Sequence, residues 1–203
     1  MNTHSSGYYS IDEEYTIIGM QAQEQGLTTV MEVEPEVYEN PYIYGSPLHL
    51  IRAMMNIYSN CIKYNKENGE IRTHVRLLHS DEKILTYRWT ISDTGIGISE
   101  DYLNRIFEPF TQEGTDARSV YQGTGLGMSI AKALFEQMGG SLEVFSKLGE
   151  GSTFVITLPF ERAQELKTTV IEKTERESIQ DIKILLAEDN ELNQEVARIL
   201  LEE

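Results

Sequence analysis

The sequence predicts a fold of mixed helices and strands, and three features lead there. Two long segments repeat apolar residues at helical spacing, several shorter ones alternate apolar and polar residues as strands do, and Gly123, Gly125 and Gly127 run straight into a third helical segment. A helix that opens on such glycines offers unpaired N–H groups at its positive end, where a phosphate can be held. The same pattern also serves as a plain tight turn, so its meaning depends on its companions.

Composition bounds the rest. With 203 residues and 40% apolar content the chain can bury one core with a further element attached. No apolar run approaches the roughly 20 residues that span a bilayer, and the opening M-N-T-H-S-S-G-Y-Y-S lacks the basic and apolar regions of a secretory signal. A cytoplasmic fragment is expected, whether or not its parent is anchored to a membrane. The single cysteine, Cys61, excludes an internal disulfide and a cysteine-built metal site, which leaves helix packing as its expected role. A balance of 33 acidic to 17 basic residues, net charge -16, opposes nucleic acid and anionic lipid as partners. An anionic ligand would need local cations to reverse that field.

Taken in order, residues 1–10 have no period and are expected to form a flexible end. Ile11, Tyr15, Ile18 and Ala22 predict a helix over 11–25 closed by Gly26, and 27–33 alternates as a strand. Pro35, Pro41 and Pro47 punctuate a connection holding a short strand at 42–44. A second helix is predicted from Pro47 to Asn65, capped by Ser46, with a wide apolar face of Leu50, Ile51, Met54, Met55, Ile57, Tyr58, Cys61 and Ile62. Asn56 and Asn60 lie four apart on one face of it, either as solvent-facing filler or as a pair of amide oxygens able to ligate Mg²⁺.

Strands follow at 70–79 and 83–93, joined by a turn at Ser80–Glu82. The second ends on Asp93 before Gly95 and Gly97, which suits either an Asx-type turn or a carboxylate that accepts a hydrogen bond from a ligand amine. Ser99 caps a short helix that ends around R-I-F-E-P-F, and 111–122 is polar, as a mobile lid over a ligand would be. A helix over 126–138 stops at Gly139–Gly140, strands at 141–146 and 152–158 follow, and Pro159 ends the regular pattern. Residues 161–181 are densely charged, and 182–203 read as a buried-type strand ending in Glu188 and Asp189 with the start of a helix.

Four of these segments, in order, resemble the motifs of two-component sensor histidine kinases. N-I-Y-S-N-C-I-K-Y is similar to their asparagine box, D-T-G-I-G to the first glycine box, I-F-E-P-F to the phenylalanine box, and G-T-G-L-G-M-S-I to the second glycine box. The likeness covers residues 11–160 and implies an α/β (α+β) two-layer sandwich: a mixed sheet of about five strands on about three helices, with an ATP lid. It also implies Mg–ATP as ligand. Asn56 and Asn60 would hold Mg²⁺, Asp93 would accept the adenine amino group, Lys63 would approach a phosphate and Tyr64 would pack on adenine. Gly95 and Gly97 would shape the adenine pocket, Phe107 would stand in the phenylalanine box, and Arg118, Gly123, Thr124, Gly125, Leu126 and Gly127 would form the lid and its phosphate-facing hinge.

The tail from Ile182 is similar to the first strand and helix of a receiver domain, with Glu188 and Asp189 at its acidic pocket and 161–181 as a charged linker, as in hybrid kinases. Hydrolytic members of the superfamily carry a glutamate as general base where this chain has Asn56, and an amide cannot take a proton. Transfer of the γ-phosphoryl group to a histidine on a separate dimerisation domain is therefore expected, and catalysis by a proton-transferring residue of this fragment is not. His4, His49, His74 and His79 stand in no phosphoacceptor context, so little self-phosphorylation is expected. The expected partners are that dimerisation domain and a receiver domain or response regulator. Gln122–Gly123 departs from the Gly-Gly of the commonest lid. A non-catalytic nucleotide-sensing module and a superfamily ATPase are the alternatives.

Overall fold

The computed structural model describes residues 11–40, 43–111 and 124–163. The sequence elements at 1–10 and from 164 onward, the receiver-like tail included, lie outside the described residues. In chain order the elements are α1 (Ile11–Glu24), β1 (Thr28–Val33), α2 (Pro35–Tyr38), β2 (Ile43–Tyr44), α3 (Pro47–Lys63), β3 (Glu70–Ser80), β4 (Ile84–Asp93), α4 (Glu100–Leu103), α5 (Gly127–Gln137), β5 (Ser141–Lys147) and β6 (Gly151–Arg162).

The six strands form one mixed sheet in the order β1-β3-β4-β6, with β5 and β2 sharing the outer edge of β6. β1 runs parallel to β3, a pairing that requires a crossover connection, and α3 lies within that crossover; the remaining pairs are antiparallel. One face of the sheet carries the helices. Alternate residues of the central strands point into that layer: Ile71, Thr73 and Val75, then Leu85, Tyr87, Trp89 and Ile91, then Phe154, Ile156, Leu158 and Phe160, all buried. Leu50, Met54, Ile57, Tyr58 and Cys61 of α3 and Met128, Ala131 and Phe135 of α5 meet them, while Ile18 and Ala22 of α1 complete the core beside β1. The two layers are those the motifs implied.

Several details differ from the sequence reading, among them α2, where only a connection was expected, and α4, which ends at Leu103 rather than near residues 105–110. The sheet has six strands among the described residues rather than about five, because β2, only two residues long, pairs with the end of β6 through Ile43↔Arg162 and Tyr44↔Glu161. Pro159 does not end β6, which runs on to Arg162. On one side Pro159 faces Thr86 of β4; on the other it falls between the end of β5, at Thr157, and the start of β2, at Glu161. A missing N–H breaks no ladder bond on that gap. Glu161 and Arg162 consequently belong to the sheet, not to a charged linker. Ser46 occupies the N-cap of α3 with extended backbone but makes no capping bond, leaving Pro47 at the first helical position to start the helix.

Inside the core one polar pair joins the layers. The Tyr58 hydroxyl of α3 and the Thr73 hydroxyl of β3 lie 2.8 Å apart, both groups buried. Removing one partner leaves the other unsatisfied in an apolar setting, so Tyr58→Phe should cost about 1–3 kcal/mol in urea unfolding. Adding Thr73→Val should recover most of the loss; a neutral single variant would remove this pair as a source of stability.

Candidate nucleotide site

The candidate residues gather at one end of the sheet, where the second half of α3, the end of β4 and the start of α5 meet. Asn56 and Asn60 are half-buried one turn apart on α3. Asn56 faces the opening of α5 so closely that a Cβ on Gly127 would stand 3.3 Å from its Oδ1. Among the described residues nothing hydrogen-bonds either side-chain amide, although the main-chain oxygens of both are used, by Ser59 Oγ and by the Tyr64 N–H. Leu126 caps α5 without a side-chain bond and no acid lies in the first turn, so the helix presents uncapped N–H groups. Lys63 Nζ sits 4.9 Å from the ring centroid of Tyr64, which is 41% exposed.

Asp93 anchors the other wall. Its Oδ1 accepts the Gly95 N–H at 2.8 Å and the Ser152 N–H at 3.2 Å, so one carboxylate oxygen ties the strand end to the turn and to the start of β6. The turn itself is clamped. The Tyr64 carbonyl accepts from the Ile96 N–H at 3.0 Å, the Ile96 carbonyl from the Gly149 N–H at 2.7 Å, and Lys66 Nζ donates to the Gly149 carbonyl at 2.6 Å. Gly97 has φ +69°, and a Cβ there would lie 2.0 Å from the Lys147 carbonyl, so only glycine fits.

Burial pushes the Asp93 carboxyl above its ordinary value, against the pull of the Gly95 and Ser152 N–H groups, the Cys61 thiol and Lys66. Burial, then the Asp93 charge, raises the Cys61 thiol well above its own ordinary value and keeps it protonated, a poor nucleophile. Cys61 thus packs in the helix face as expected and also bonds Asp93, which its spacing did not reveal.

Of the phenylalanine-box residues, Ile106 and Phe107 pack into the core while Phe110 is exposed. Phe107 lies against the core with Lys132 Nζ 4.5 Å from its ring centroid, a contact no sequence motif signalled. Phe110, at φ 62°, donates its N–H to the Gly125 carbonyl at 3.0 Å, while Thr111 Oγ1 ties back to the carbonyls of Arg105 and Glu108. Thr124 is exposed and Leu126 half-buried. Arg118, Gly123, Glu188 and Asp189 lie outside the described residues.

Residues 45–162 match the family model described as histidine kinase-, DNA gyrase B-, and HSP90-like ATPase. The chain belongs to this family. Its relatives include sensor histidine kinase AruS of Pseudomonas aeruginosa, 34% identical over 95% of this chain and 18% of AruS. Hybrid signal transduction histidine kinase B of Dictyostelium discoideum is 35% identical over 73% of this chain and 7% of that protein. The chain thus spans less than a fifth of these two relatives. Among solved structures, the mycobacterial sensor histidine kinase MprB superposes with TM-score 0.57 at 26% identity, covering 75% of this chain and 95% of that one. Full-length ShkA in complex with AMPPNP gives TM-score 0.59 at 27% identity over 78% of this chain and 32% of ShkA. The ATP-binding fold of the family is the fold described here.

Two outcomes follow from the Asp93 wall. A raised folded-state pKa means that the native chain holds the Asp93 proton more tightly than the unfolded chain. Stability from this group is therefore fullest below its ordinary value of 3.8 and is lost as pH rises through the folded value. Asp93→Asn removes that loss, so urea titrations should show the variant gaining on the parent as pH rises above that value. Gly97→Ala should destabilise the fold by at least about 2 kcal/mol in the same titration.

Proposed function

We propose that this chain is the ATP-binding catalytic domain of a hybrid sensor histidine kinase, which passes the γ-phosphoryl group of ATP to a histidine on a separate dimerisation domain. The observation that carries the reading is the Asn56 amide set against the opening of α5 through Gly127. A general base for water is needed at that place if ATP is to be hydrolysed, and an amide cannot serve. The histidine acceptor must then come from outside this fragment.

The residues present fit the ligand. Asn56 and Asn60 offer amide oxygens that no described residue bonds, a donor set suited to a hard cation, and the bare glycine at 127 leaves space beside them. When bound, Mg²⁺ neutralises phosphate charge. The protein's part is to hold and orient: Asp93 accepts the adenine amino group, Gly95 and Gly97 bring main chain close to the base, and Tyr64 offers an exposed ring at the pocket edge. Lys63 and the N–H groups of α5 supply the local positive field that an acidic protein needs around an anion. In this reading Thr124, Gly125 and Leu126 lead into the phosphate-facing helix, Phe107 braces it, and Arg118 and Gly123 belong to the lid.

The domain reading gives residues 11–160 to the nucleotide domain, extended by the last residues of β6, then a charged connection, then from 182 the start of a receiver with Glu188 and Asp189 in its acidic pocket. Alignment to AruS over 95% of the chain, continuing past the family match at residue 162, supports a relationship reaching into that tail. ATP as donor implies work in the cytoplasm. None of the described helices is long and apolar enough to cross a membrane.

Asn60→Ala should abolish Mg²⁺-dependent binding of a fluorescent ATP analogue; undiminished binding would overturn the ligand assignment. Mixed with a helical phosphoacceptor domain and γ-labelled ATP, the chain should label a histidine of that domain. Steady phosphate release without label would instead mark an ATPase, and binding without either would mark a nucleotide-sensing module.

A further inference from the structure

The face of the sheet turned away from the helices holds an unusual pair. Arg76 of β3 and Arg88 of β4 are directly opposite each other in the antiparallel register, so two half-buried guanidinium-bearing side chains share one spot. Like charges in opposed positions destabilise a sheet. Their neighbours on the same face have carboxylate partners: Arg72 pairs with Glu70 at 3.0 Å and also with Glu32, and His74 lies 3.3 Å from Glu34. Arg76 and Arg88 have no carboxylate within salt-bridge distance among the described residues, in a chain with 33 acids. Arg88 commits one donor, Nε, to Thr157 Oγ1 at 3.3 Å. Five donors per guanidinium in a fixed fork match carboxylate geometry, so most of the capacity here is unspent.

The surroundings indicate what would use it. The same face carries Val155 on β6 and Phe145 on β5, the latter 59% exposed, beside threonines at 90, 153 and 157. A flat surface with an uncompensated cationic pair and apolar side chains suits a folded partner better than a bare ion. An extended phosphate backbone would also have to pass Glu143 against a net charge of -16. From this charge complementarity we infer that the outward sheet face around Arg76 and Arg88 docks a partner protein that presents paired carboxylates next to an apolar side chain. The face lies on the opposite side of the sheet from the Asn56 and Gly127 site, so the inference does not depend on the nucleotide reading.

The test uses the full chain with four probes at low salt: a hexapeptide alternating glutamate and leucine, hexaglutamate, inorganic phosphate and a single-stranded oligonucleotide. NMR follows the Nε–H signals of Arg76 and Arg88. The alternating peptide should shift both signals and bind more tightly than the other three. The double variant Arg76→Gln, Arg88→Gln should weaken it about tenfold or more while binding of an ATP analogue is unchanged. Absent shifts, equal binding by the double variant, hexaglutamate matching the leucine-bearing peptide, or tighter binding of phosphate or oligonucleotide would each overturn the inference. Unchanged far-ultraviolet circular dichroism of the variant guards against loss of fold as the cause.

Discussion

One carboxylate oxygen holds the working end of this molecule together. Asp93 Oδ1 receives main-chain N–H groups from both Gly95, in its own turn, and Ser152, at the start of β6. Those two bonds fix where β4 stops, how the glycine turn leaves it and how β6 enters beside it. The penalty of keeping the carboxylate half-buried is only partly offset by the bonds it accepts. The turn has little freedom of its own: Tyr64 and Ile96 bond main chain to main chain, Lys66 reaches the Gly149 carbonyl, and Gly97 lies under the Lys147 carbonyl. In the proposed nucleotide site, the base would meet preformed backbone at this corner rather than a loop that must order itself.

α3 is where fold and site are least separable. Its inward residues, Leu50, Met54, Ile57 and Cys61, are core, and Asn56 on its flank faces the opening of α5, with Asn60 one turn along. Because 3.6 residues complete a turn, positions 56 and 60 stay on one flank while 57 and 61 stay in the core, so moving the asparagines would mean moving the packing. The Tyr58–Thr73 bond pins the roll of the helix against β3. Cys61 adds the link to Asp93 from within the core face itself.

Most of the fold could be read because its signals are local. Apolar periods marked α1, α3, β3, β4, α5 and β6 within a residue or two at most ends, and glycine at positive φ closed α1 at Gly26 and α5 at Gly139. What escaped depended on partners distant in sequence. The short strand at 42–44 was legible, but its mate was not: it pairs with residues 161 and 162, and Pro159 looked like a stop until the gap beside it removed the need for its N–H. In the site, asparagines and glycines carried motif information, whereas Ser152, Lys132 and the thiol of Cys61 matter through contacts across the fold that no spacing encodes.

The asparagine at 56 shows how one functional group sets the chemistry while the geometry stays fixed. Opposite the opening of α5, with Gly127 giving no side chain to fill the space, a carboxylate would be well placed to draw a proton from water near a terminal phosphate. The shorter amide of Asn56 keeps an oxygen that can ligand a cation and cannot accept the proton. In the proposed reading, hydrolysis is thus disfavoured at a single side chain, and the nucleotide is left for an acceptor that brings its own nucleophile.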